Sequence, residues 1–569
     1  METLTDKNIS GKVLDHLGLV ASTIDKLGIV GKIDAMLPIS VNKGAKATMG
    51  QRVAAMLLNG LGFMDTRLYM FPEFLQNKPV DRLIGESVKA EDFNDDALGR
   101  CLDAIYEYGV NNFFSELAFP IGLEHGLLGK NANIDTSSLS LHGDYSKQDV
   151  INEAITQEET KESLKTPKIT YGFSKDHRPD LKQIVINLAT TGAAGFPIWM
   201  ESHSGNASDK KILHEAAERM QKFCSTLKQS PSFMYVADSA MYSSCVNKSS
   251  ELTWLSRVPE QSNISKDLLR QKDSNFCWTE IGKGYRICVV ENKYKDVHQR
   301  WCIIFSEQAY KLETETLKRK VAKEKKVANN NLSKLGHQKF ACEKDAKIVA
   351  KQFEKTLKYH AVKTTVEQIR KHITKGRPKK GVKGKVIGYK IVGEVANDFE
   401  KIEVADRPKG RFIIATNELD QKVLPDVKML EEYKEQSKTE SGFKFIKDDA
   451  FEVSSVFLKK PSRISSLLVI MTLCLMIYSV AQYHLRQSLK KKDEFVPDQT
   501  GKDTKAPTLK RVFKLFNGVQ VLTIKIGDTT QELVINLTAK LKQIVRHFGK
   551  KAIEIYNLNE GGSGDITKC

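Results

Sequence analysis

Three carboxylates stand in local sequence that packing alone explains poorly. Asp135 lies in Ile-Asp-Thr-Ser-Ser-Leu-Ser-Leu, one acid among apolar and hydroxyl residues, and Asp238 closes the run Phe-Met-Tyr-Val-Ala-Asp. A carboxylate inside or at the end of a buried strand is costly unless cations or hydrogen bonds hold it. A helix cap or turn residue is the competing role for each. Glu440 stands in YKEQSKTESGFKFIK, with Tyr433 and Lys447 seven residues to either side and Gln436 and Lys444 four residues to either side. Seven residues make two helical turns with a drift of about 20°, so one continuous helix would align all five. Phenol, amide, carboxylate and two ammonium groups on one face suit phosphate and metal contacts; a solvated charged face is the competing reading.

The elements that must position these groups follow from periodicity. Residues 1–125 read as helical: Ala97, Leu98, Cys101, Leu102, Ile105 and Tyr106 form one stripe behind a cap at Asn94 or Asp95, and QRVAAMLLNGLGF (51–63) forms another. This front segment is expected to bind DNA, with packing or dimerisation as the alternative. From 126 to 250 the pattern becomes strand, strand, strand, helix, strand, the order of an α/β domain with a mixed sheet. It lapses over 251–408, where strand-like runs, a Lys-rich helical stretch and a basic, Gly-containing stretch suit an insertion. It resumes over 409–490, and 491–569 reads as a C-terminal extension. No residue between Arg463 and Arg486 carries a charge, but the dense apolar part is only Leu467–Tyr478, closer to a buried core helix than to a membrane span of ~20 residues.

Composition narrows the partners. The chain has 569 residues, 88 Lys and Arg against 70 Asp and Glu, and a net charge of +18; at 41% hydrophobic and 28% charged it is neither disordered, collagen-like nor an integral membrane bundle. Such an excess points to a polyanion, most often nucleic acid, with a membrane surface sharing the signature. Residues 371–390 hold eight Lys or Arg and no acid. Their KGRPKK core, with Arg377, Lys379 and Lys380, resembles an AT-hook that lies in a narrow minor groove; a solvated linker is the competing reading. Nine scattered cysteines without a C-x-x-C pair fit reduced thiols in a cytosol, and METLTDKNISGKV lacks the pattern of a secretion signal. Gly376–Val382 lacks the Lys-Ser/Thr of a phosphate-binding loop, and H-E-x-x-H, G-x-S-x-G and EF-hand patterns do not occur.

Together these residues carry a resemblance. Y-x2-Q-x3-E-x6-K is similar to the Y-x2-R-x3-E-x6-K signature of bacterial insertion-sequence transposases with an RNase H-like catalytic domain. Further matching segments follow in order: YGFSKDHRPDLKQ (171–183), SGNASDK (204–210), VADSAMYS (236–243), WLSRVP (254–259), IATN (414–417) and APTLKRVF (506–513). The resemblance implies an α/β, RNase H-like mixed-sheet catalytic domain interrupted by a β-rich and helical insertion and preceded by a helical domain. It implies that Asp135, Asp238 and Glu440, separated by 103 and 202 residues, are catalytic and hold two Mg2+ or Mn2+ ions about 3.5–4 Å apart. Hydrolysis at a mobile-element end would free a 3′-hydroxyl that then attacks target DNA. Tyr433, Gln436, Lys444, Lys447, Arg377, Lys379 and Lys380 are expected to touch DNA. Trp254 would hold a displaced base and Arg257 a phosphate, a buried Trp being the competing role for the former. The implied partners are double-stranded DNA, as terminal inverted repeats and target, and a second copy in a homodimeric DNA complex. The implied place is the bacterial cytoplasm at the nucleoid, without a membrane. Gln436 replaces the signature's Arg, which keeps open a non-catalytic DNA-binding relative.

Overall fold

A computed structural model describes residues 9–39, 46–62, 70–142, 145, 166–247, 251–372, 383–448, 458, 460–526 and 529–558. Along the chain the strands are β1 (Ile9–Val13), β2 (Asn131–Leu141), β3 (Lys182–Thr191), β4 (Phe196–Ser204), β5 (Met234–Ala237), β6 (Trp254–Arg257), β7 (Thr279–Gly282), β8 (Tyr285–Tyr294), β9 (Val297–Ser306), β10 (His360–Lys371), β11 (Lys385–Asn397), β12 (Arg411–Thr416), β13 (Val496–Pro497), β14 (Asp503–Thr504), β15 (Gln520–Ile526) and β16 (Thr529–Ile535). Helices and strands together make a mixed α/β protein in two units, residues 1–254 with 432–569, and residues 255–431.

In the first unit β4, β3, β2 and β5 lie side by side, antiparallel except for the parallel pair β2 and β5. β2 and β3 are buried along almost their whole length, as strands of a sheet covered on both faces must be. Helices Asp209–Thr226 and Ser437–Ile446 pack on β2 and β3, and helices Val110–Glu124 and Pro461–Lys492 pack on β4.

Pro461–Lys492 is the one helix among the described residues long and apolar enough to cross a membrane, and 83% of its most apolar window is buried within the protein. Its partners explain why. Helices Leu17–Lys26, Met49–Leu61 and Asp95–Tyr108 turn their apolar stripes onto it. Arg463 grips Asp103 through two hydrogen bonds of 2.7 and 2.6 Å, and Ser466 Oγ donates to the Leu102 carbonyl at 2.7 Å. Local signals set the ends of these partner helices: Thr48 and Gln51 form a reciprocal cap, and the Asn94 side chain accepts the Ala97 N–H. β1 pairs with β15, so the two ends of the chain meet in one sheet. Within this unit, helices from residues 1–125 and from 539–547 pack on the one buried helix.

The second unit is built on an antiparallel sheet in the order β6, β12, β9, β8, β7. Helices Glu307–His337 and Glu343–Lys355 pack with the long hairpin of β10 and β11 around Leu332, Phe340, Ala346, Val362, Ile391 and Val395. The hairpin arms take up both ends of the basic 371–390 stretch, which reads as a loop from composition.

Candidate functional site

Strand register brings the first two carboxylates together. β2 and β5 run parallel with Asn131 opposite Met234 and Asn133 opposite Val236, an offset of 103 positions. Asp135 and Asp238 are separated by the same 103. The pairing ends two residues before each acid; Asp238 is the first residue past β5, and it lies near enough to Asp135 for its negative charge to act on it. There the chain turns into helix Ser239–Asn247, and Asp238 Oδ1 accepts the Ala240 N–H at 2.8 Å while its carboxylate stays exposed. Asp238 thus plays the capping role that competes for it and still faces solvent.

Asp135 is largely enclosed, and its carboxylate accepts the Thr136 N–H at 2.7 Å. Burial pushes its pKa from 3.8 up to about 6; Lys175 and the Thr136 N–H pull it down, and the negative charges of Asp238 and Asp209 push it up again. Lys175 is committed elsewhere: its Nζ donates to the Thr136 carbonyl at 2.6 Å and Oγ1 at 3.1 Å, and it pairs with Asp209 at 3.0 Å. Asp135 is thus left beside a like charge, with a neighbouring lysine whose ammonium bonds other groups.

The third carboxylate is not gathered in. Helix Asp426–Lys434 ends before Gln436, and a new helix starts at Ser437. Between them the N–H groups of Glu435 and Gln436 bond three residues back, to Glu432 and Tyr433, which tightens the turn. The single five-residue face therefore does not form: Tyr433 belongs to the earlier helix, Gln436 caps the later one, and Lys447 lies one residue past its end. Gln436 Nε2 is buried without a hydrogen-bond partner, so the amide points inward.

The later helix buries Thr439, Gly442, Phe443 and Ile446. Thr439 Oγ1 bonds the Asn133 carbonyl at 3.1 Å and Thr190 Oγ1 at 2.6 Å, pinning the helix to β2 two residues from Asp135. Glu440, next to Thr439, is exposed, as is Lys444. Among the described residues no three Asp, Glu, His or Cys side chains stand close enough to hold one ion. Lys447 instead bonds Asp176 at 2.6 Å.

Trp254 is fully buried, edge-on to Tyr242 with ring centroids 5.6 Å apart, so it packs and offers no open ring to a base. Arg257 stacks over Phe412 at 5.1 Å and pairs with Glu260. Arg377, Lys379 and Lys380 lie outside the described residues. Sequence reasoning missed Lys175, Asp209 and Thr439; the first two fall within the segments 171–183 and 204–210, and no signal short of the fold marks Thr439.

The donors at this site are carboxylate oxygens alone, the set hard divalent cations prefer. Asp135 and Asp238 fit such an ion, since a cation between them would relieve both the desolvation and the like-charge repulsion at Asp135. Charge is divided unevenly along the chain. The second unit holds 39 Lys and Arg against 23 Asp and Glu, a net +16, while the first holds 49 against 47, a net +2.

Residues 9–119 match the family described as a domain of unknown function, DUF4277. None of the curated proteins matches the chain. Among solved structures, a piggyBac transposase synaptic complex with hairpin DNA is similar at 9% identity and a TM-score of 0.33, over 88% of this chain and 80% of that one. A likeness so slight carries neither fold nor activity.

Proposed function

We propose that the chain is a DNA transposase of the DDE type, related to those of bacterial insertion sequences. In this reading the β4, β3, β2, β5 sheet belongs to an RNase H-like catalytic domain. The observation that supports it most is the pair Asp135 and Asp238, each two residues past the last pair of the parallel strands β2 and β5 and close enough for one charge to act on the other. A second support is the ordered set of segments that resembles such enzymes. Asp135 and Asp238 would hold Mg2+ or Mn2+, with Glu440 as the third donor. The bound ions supply Lewis acidity at the phosphate and a more acidic attacking water.

The chain's own residues do the rest. Asp135 and Asp238 fix where the scissile phosphate lies, and Lys175, whose ammonium bonds the carbonyl of Thr136 next to Asp135, adds a positive charge nearby. The second unit, net +16, meets the phosphate backbone of element-end and target DNA. Joining two element ends calls for two copies on the DNA, and the work lies at the nucleoid. The buried amide of Gln436 and the exposed Glu440 favour a second reading, a DNA-binding relative that does not cut.

The test uses duplexes carrying the DNA that flanks the gene. With Mg2+, the wild-type protein should nick them to leave a 3′-hydroxyl. Asp135→Asn, Asp238→Asn and Glu440→Gln should each lower cleavage at least about a thousandfold while binding holds. Wild-type cleavage by any one of them removes that residue from the site. Tight binding without cleavage by the wild type establishes the second reading.

A further inference from the structure

The sheet that joins the two ends of the chain is apolar on one face. β15 lies between β1 and β16, with Ile9 opposite Ile524, Gly11 opposite Leu522, Leu522 opposite Leu533, and Ile526 opposite Thr529. Opposed residues share a face and neighbours along a strand alternate. Residues 9, 11 and 13, the even positions from 520 to 526 and the odd positions from 529 to 535 therefore stand on one side. Seven of these eleven residues are Ile, Leu or Val, and the others are Gly11, Gln520, Thr529 and Gln531. None carries a charge.

The opposite face is the one the protein holds. It carries all the charges of the three strands, Lys12, Lys525 and Glu532, together with the buried Val521. Arg82 Nε donates to Glu532 at 3.2 Å and its Nη1 to the Ile555 carbonyl at 2.9 Å, which ties that face to the rest of the first unit. On the apolar face Ile526 is 54% open to solvent, Ile9 42% and Leu533 40%, with Leu522 and Ile524 half-buried between them. An antiparallel sheet with one solvated face ordinarily turns its polar residues to water. Here the polarity is reversed, the mark of a contact surface.

Size and chemistry choose the occupant. Three strands ~4.8 Å apart, with six or seven residues at ~3.4 Å each, give a face of roughly 300 Å2, against ~800 Å2 per partner in a stable complex. Such a contact holds weakly. The face offers no cation to a nucleic acid or an acidic lipid surface, and no charge to a charged peptide. What matches an uncharged apolar face is another such face, and a second copy presents an identical one. Pairing about a two-fold axis covers both faces at once and closes the assembly. Each copy carries a net +18, so two copies approach with least repulsion through a surface that has no charge.

We infer that the apolar face of β1, β15 and β16 is a self-association surface through which two copies of the chain pair weakly. The inference stands on the sheet alone, and the two copies that joining two element ends calls for give it a use.

The test is sedimentation equilibrium of the full-length protein from about 1 to about 300 µM. The apparent mass of the wild type should rise with concentration from 64.0 kDa toward twice that value. Ile526→Lys with Leu533→Lys, and Ile526→Glu with Leu533→Glu, should each weaken self-association at least about tenfold, with thermal unfolding unmoved because both side chains face solvent. Mixing the two double variants should restore it, since opposite charges then meet across the contact. A wild type that stays at 64.0 kDa throughout, or double variants that associate like the wild type, overturns the inference. So does a mixture that fails to recover, because the face then meets a different surface. None of these results touches DNA cleavage, so the transposase reading stands or falls separately.

Discussion

Two enclosed carboxylates of one sheet, Asp135 on β2 and Glu201 on β4, are held in opposite ways. Around Glu201, Arg219 donates two hydrogen bonds of 2.8 and 2.7 Å, His203 Nε2 lies at 3.0 Å and Trp199 Nε1 donates at 3.1 Å. Burial pushes Glu201 up, but His203 and Arg219 outweigh it and hold its pKa at about 2. Asp135 has the Thr136 N–H and a lysine turned to other partners, and burial raises it to about 6. The sheet therefore has the means to satisfy a buried acid and uses them at Glu201 only. Glu201 ties β4 to helix Asp209–Thr226, and its charge is used up by the protein. The charge of Asp135 remains available to a ligand.

The sharpest way to break this contrast is to neutralise each acid in turn. Asp135→Asn should fold and lose Mg2+-dependent cleavage by at least about a thousandfold, while Glu201→Gln, assayed below its melting temperature, should keep its cleavage. Equal losses of cleavage in the two variants would erase the distinction. Stability should respond the other way. In urea, Glu201→Gln should lose about 2–3 kcal/mol, less than the 3–5 kcal/mol of a fully buried pair because Arg219 is half-exposed.

The pH dependence sharpens the same point, with opposite signs. Glu201 has a folded pKa below its unfolded 4.5, so its contribution is present above 4.5 and is lost as the pH falls toward 2. Asp135 has a folded pKa above its unfolded 3.8, so its protonated form favours folding below 3.8 and that advantage is lost as the pH rises through about 6. In metal-free buffer at pH 7, Asp135→Asn should therefore be more stable than the wild type by roughly 2–3 kcal/mol, and the gain should vanish near pH 4. Urea titrations across that range will show it.

The smallest expected effect lies in the other unit. Lys325→Ala with Lys326→Ala, both exposed on helix Glu307–His337, should weaken DNA binding alike for all sequences. The slope of log K against log salt should become shallower by up to about 2. An unchanged slope would separate the charge of that unit from DNA binding.

The pattern of strands and the burial of the apolar helix could be read from the sequence because both rest on periodicity and local composition. The placement of Asp135 within a strand and of Asp238 at a strand end could also be read, since each is a lone carboxylate in a strand-like run. The spacing around Glu440 aligns five residues only on a continuous helix, and the turn at Glu435 and Gln436 interrupts it; nothing in the composition of YKEQSKTE marks the break. Lys175 owes its position to hydrogen bonds with Ser138 and Thr136, contacts between segments far apart in sequence. The +18 is visible at once, but that +16 of it falls in residues 255–431 becomes visible only when the fold sets the boundary.

The central claim is that Asp135 and Asp238 hold a divalent cation, and Mn2+ binding followed by electron paramagnetic resonance tests it most directly. The wild type and Glu201→Gln should take up Mn2+ with equal affinity, and Asp135→Asn combined with Asp238→Asn should take up none at that site. Mn2+ binding by the double variant at the wild-type level would contradict the account.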